Sequence, residues 1–146
     1  MRLIEAGLES ARSREDRLSS YIALYNLFQV ELGRGDHDAA RGHLEESTRL
    51  SLETRDQANL AYLLDAGAVL AAATGQHARV PLLLGAAQSI REALGSRGYG
   101  YSRPDTATIE AAAADARRHL GADRYDDALD TGRGLAATDA AAMLRS

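Results

Sequence analysis

The chain has 146 residues, about one domain's worth, with no Cys and no Lys; its formal charge of -4 comes from 21 acidic residues against 17 arginines. Without Cys there are no disulfides, thiolate metal sites or cysteine nucleophiles, and without Lys there is no Schiff-base chemistry and no phosphate loop. The net acidity argues against direct binding to nucleic acid or to an anionic membrane surface.

The 29 Ala and 21 Leu against 4 Ile and 3 Val predict an all-α fold. At the N-terminus, Met1 to Glu9 carries acids where a secretory peptide needs an unbroken apolar stretch, so a cytoplasmic location is expected. The longest weakly polar run, Ala66 to Thr74, falls far short of the ~20 residues that cross a bilayer. Residues 1–16 have the pattern of a second helix without its partner, which leaves Leu3, Ile4 and Leu8 as an uncovered apolar edge. Solenoids need end caps, so this edge is expected to pair two copies of the chain as a homodimer.

Residues 17–56 form the first full hairpin. Leu24, Leu27, Phe28 and Leu32 share one helical face, Gly33-Arg34-Gly35-Asp36 makes the turn, and Ala40, Leu44 and Ser47 face inward on a second helix from His37 past Leu52. Asp36 suits its N-cap. Thr54-Arg55-Asp56 is the next break. Residues 57–95 repeat the pattern with Leu60, Leu63, Leu64 and Leu70, a turn at Thr74-Gly75-Gln76, then Val80, Leu83, Leu84, Ala87, Ile90 and Leu94. Pro81 is tolerable only in the first turn of that helix or at a kink. Residues 96–105 read as a loop and 106–146 as a degenerate capping unit. Within that unit the expected helices run from Thr106 to Leu120, around Tyr125 to Asp130 and from Thr138 to Leu144, with a break at Gly132-Arg133-Gly134.

The repeat period is forty residues: Gly35 with Gly75, His37 with His77, Leu24 with Leu64 and Leu44 with Leu84. Leu24-Tyr25-Asn26-Leu27, followed by Gly35-Asp36-His37-Asp38-Ala39-Ala40 and Leu44, resembles the tetratricopeptide repeat. The period is longer than that family's ~34, and Phe28 stands where the family usually has glycine or alanine. Long units of this kind resemble the C-terminal helical domain of bacterial LuxR/MalT-like and SARP/AfsR-like transcriptional regulators. Leu83-Leu84-Gly85-Ala86-Ala87 with Arg91-Glu92-Ala93-Leu94-Gly95 is similar to a signature near the end of that domain, and Leu120-Gly121, Tyr125, Gly132, Leu135 and Thr138-Asp139-Ala140 to its closing segment.

The resemblance implies a non-catalytic, tetratricopeptide-like superhelix excised from a longer regulator whose ATPase and DNA-binding domains lie elsewhere. It places Ile22, Tyr25, Asn26, Gln29, Tyr62, Asp65 and Val69 on the concave wall, facing a protein or small effector, with Asn26 matching the asparagine that bonds a ligand's backbone in peptide-binding members. No cofactor is implied. A free-standing adaptor is the alternative.

His37 and His77 recur where the repeat usually packs a tyrosine and are expected to pack or cap. His43 and His119 show no companion that would complete a zinc site and are expected at the surface. Asp123, Asp127 and Asp130 fail the EF-hand pattern, because Tyr125 and Ala128 occupy positions that need an oxygen ligand and a glycine. Gly98 and Gly100 lack the third glycine and the preceding strand of a dinucleotide loop, and no serine sits in a nucleophile elbow.

Overall fold

The computed structural model describes residues 26–95 and 106–144. They fold as α1 (residues 26–33), α2 (His37–Thr54), α3 (Gln57–Ala73), α4 (Arg79–Leu94), α5 (Thr106–Leu120), α6 (Ala122–Arg133) and α7 (Ala137–Leu144), with no strand among them. The all-α expectation is met. The partial unit at 1–16, its apolar edge and the loop at 96–105 lie outside the described residues.

Three successive helices stop by the same device. At the end of α1 the Asp36 amide donates to the Glu31 carbonyl at 2.9 Å and the Gly35 amide to Leu32 at 3.1 Å. Asp56 and Arg55 repeat this on Ser51 and Leu52 after α2, and Gln76 and Gly75 on Ala71 and Ala72 after α3. Each is a Schellman closure, which needs a left-handed residue just past the helix. Gly35 and Gly75 supply it with φ +77° each, and Arg55 with φ +57°. The next helix then starts on an aspartate: Asp36 accepts from the Ala39 amide and Asp56 from the Asn59 amide. α4 begins at Ala78 without a side-chain cap, and Pro81 is its third residue, where its missing N–H leaves nothing unpaired.

Phe28, Ala40, Leu44, the leucines of α3 and Leu83 and Leu84 of α4 enter one continuous core, as their spacing predicts, and Leu27 is buried as well. α3 and α4 form its centre: α2 and α5 pack on α3, and α6 packs on α4. The α4–α6 crossing is close because each helix puts a glycine at the contact. A Cβ on Gly85 would run into the backbone carbonyl of Leu129, and one on Gly132 into that of Leu82. Gly132 and Arg133 are thus the last turn of α6 and not part of a break; only Gly134 lies beyond the helix.

α7 turns back along the molecule and packs on α2, α3 and α4. Gly67 of α3 makes room for it, since the Leu144 side chain lies where a Cβ would stand, with Leu83 and Leu44 alongside. The end of the chain therefore reaches the first described hairpin, whereas a terminal solenoid unit touches only the unit before it.

Candidate functional site

Two groups of residues carry chemistry beyond packing. The first is the wall expected from the repeat. Asn26 and Gln29 are exposed on α1, and Tyr62 and Val69 are half-buried on α3; Ile22 and Tyr25 lie outside the described residues. Asp65 behaves differently. It is 2% exposed, and its carboxylate pairs with the Arg91 guanidinium, which also donates to the Ala61 carbonyl one turn earlier on α3. Ala61 leaves space for the long arginine side chain to cross from α4, so Asp65 is drawn into the hairpin and is not offered to a groove.

The second group was not expected. The connection after α3 closes at Gly75 and sets His77 just ahead of α4. α5 packs across α3 and brings its last turns over that connection, with Asp115 and His119 one helical turn apart on the same face. The His77 and His119 rings stack with centroids 3.7 Å apart and planes within 8°. One carboxylate serves both: Asp115 Oδ2 is 3.7 Å from His77 Nδ1, and Oδ1 is 3.6 Å from His119 Nδ1. Arg118 Nη2 donates to Oδ1 at 2.8 Å, and His119 Nδ1 lies 2.9 Å from the Asp115 carbonyl. His77 Nδ1 is buried with no hydrogen-bond partner. The Arg118 hydrogen bond, helped by the positive charge the two imidazoles carry when protonated, holds the Asp115 carboxyl below the usual carboxylate range.

His119 is therefore not a solitary surface residue, and His77 meets it and Asp115 across the fold. The only local sign in the sequence is the i, i+4 pair Asp115 and His119; nothing local marks His77 as the third member, 42 positions from His119. Asp123, Asp127 and Asp130 are exposed, as a solvated face should be.

A pit between α2, α3, α4 and α7 is lined by Leu44, Gly67 and Leu83 and by Arg41 and Arg79, among others. At about 20 Å³ it has room for one water molecule. Arg79 donates to the Met143 carbonyl and, at 3.2 Å, to Gln76 Oε1, so it closes the last turn of α7. Burial, and secondarily the nearby Arg41, push its pKa below the usual arginine value. The pit is a structural seam, too small for a ligand.

No family model, no curated protein and no solved structure matches the chain.

Proposed function

We propose that the chain is a non-catalytic sensor and interaction domain of a bacterial transcriptional regulator of the LuxR/MalT-like or SARP/AfsR-like kind. Its hairpins stack as a tetratricopeptide-like superhelix in the cytoplasm, and its concave wall of Ile22, Tyr25, Asn26, Gln29, Tyr62 and Val69 takes a face of the parent's ATPase core or a small effector. The observation that carries the reading is the glycine form of the closing turn: Gly35 and Gly75, forty residues apart, share φ +77° and the same pair of closing hydrogen bonds, while the turn between them is made by Arg55 at φ +57°. Exposed Asn26 and half-buried Tyr62 suit a binding wall, since an amide bonds backbone and a tyrosine gives contact area with a polar tip.

The test begins with the reading frame that encodes the chain. A phosphate loop and a DNA-reading helix in the same polypeptide are expected. The isolated ATPase core should then bind this domain, and Asn26→Ala with Tyr62→Ala should abolish that binding while the helical circular-dichroism signal stays intact. A reading frame with neither domain would overturn the assignment in favour of a free-standing adaptor.

A further inference from the structure

From the trio His77, Asp115 and His119, which bridges the α3–α4 connection to the end of α5, we infer a binding site for one divalent transition-metal ion of the zinc, cobalt or nickel type. Among the described residues no other three His, Cys, Asp or Glu side chains converge this way: one ligand atom from each lies within 4.8 Å of the others. Bonds of about 2.0–2.2 Å in a tetrahedral site put neighbouring ligand atoms roughly 3.3–3.6 Å apart. The two histidine-to-carboxylate distances, 3.7 Å from His77 Nδ1 to Oδ2 and 3.6 Å from His119 Nδ1 to Oδ1, are close to this but run to different oxygens, so both rings meet one ion only after one of them moves. Two imidazoles and one carboxylate suit borderline metals, whereas calcium and magnesium favour all-oxygen sites.

The metal-free arrangement shows what has to move. Parallel rings stacked at 3.7 Å do not aim both lone pairs at one point. One ring has to turn about its Cβ–Cγ bond, and His119, with its side chain 55% exposed, has room to do so by giving up its contact with the Asp115 carbonyl. His77, 18% exposed, stays, and its Nδ1 has no hydrogen bond to lose. Arg118 is the competitor: it holds Asp115 Oδ1 and adds a positive charge, but at 74% exposure its side chain swings readily into water. The ion thus replaces a guanidinium on Asp115 and exchanges a ring stack for two coordinate bonds. Three protein ligands leave a coordination position open to water or to an effector group. The site is separate from the proposed wall and does not depend on it.

Titration of the full chain with zinc chloride at pH 7.5, followed by calorimetry, tests this. One ion per chain is expected, with a melting temperature that rises with zinc concentration and no competition from excess magnesium or calcium. D115N and H119Q, both at least partly exposed positions, should each weaken binding by about tenfold or more, the least that losing even a supporting partner of a metal site costs. R118A should tighten binding, a gain that misfolding cannot imitate. Cobalt should give visible d–d bands that fade in acid, because the ligands bind a metal only in their deprotonated forms. Absence of saturable zinc binding, equal affinity in D115N and H119Q, or an R118A affinity no tighter than the parent's overturns the proposal.

Discussion

Asp65 shows how a single side chain changes role once the fold is formed. Its spacing from Tyr62 and Val69 puts it on the helical stripe that the repeat assigns to a binding wall, yet it is buried against Arg91 from the neighbouring helix. Arg91 keeps 27% of its side chain exposed and reaches water if its partner is removed, whereas Asp65 stays enclosed. The two truncations should therefore differ. R91A leaves a buried carboxylate without its ion pair and should cost about 3–5 kcal/mol, while D65A should cost clearly less; urea melts of both proteins check this. Equal and negligible costs would return Asp65 to the wall. Asp115 gives a second test at this scale. Its folded-state pKa is lowered, so the stability it contributes is fully present above the unfolded value of ~3.9 and is lost as pH falls through the folded one. D115N should flatten the acid limb of the stability curve below about pH 4, which acid titrations of both proteins followed by circular dichroism check.

At the scale of elements, what the sequence makes legible is what is decided locally. The ends of α1, α2 and α3 each need one left-handed residue and, for the helices that follow α1 and α2, a capping aspartate; Gly35, Asp36, Gly75 and Asp56 stand at those positions. The inward faces of α2, α3 and α4 follow from apolar spacing. Contacts between distant segments leave no comparable mark, and so Asp65 with Arg91 and His77 with His119 emerge only in three dimensions. Gly132 sits between these cases: its type is informative, but a glycine near a helix end reads equally as a stop or as a close approach. The two uses predict different costs. Gly35→Ala meets open space and pays only for its positive φ, about 1–2 kcal/mol. Gly132→Ala drives a methyl group into the Leu82 backbone, which has no rotamer to adopt, and should exceed that cost and separate α6 from α4. Thermal melts rank the two, and a Gly132→Ala protein as stable as Gly35→Ala would mean that the crossing is looser than described.

For the molecule as a whole, α7 decides whether the hairpins are an open stack or are closed from behind. At 8 residues it is too short to hold helical structure alone, since isolated helices below about 12–15 residues are marginal in water. Its order must come from docking, through Ala140, Ala141 and Leu144, all buried, and through the Arg79 bond to Met143. Leu144 lies over Gly67 beside Leu44 of α2, so residues a hundred positions apart share one small seam. Leu44→Ala and Leu144→Ala should each cost about 2–5 kcal/mol. More telling is their combination: once either leucine is gone, the seam relaxes around the other, and the double variant should fall short of the sum by about 0.5–3 kcal/mol. A sum that holds within about 0.5 kcal/mol would mean that α7 and α2 do not share a surface, as expected of an open superhelix whose last unit touches only its neighbour. Coupling of the larger size would make the two hairpins and the returning helix one cooperative unit. In that case a ligand bound against α3 does not have to order the hairpins as it binds.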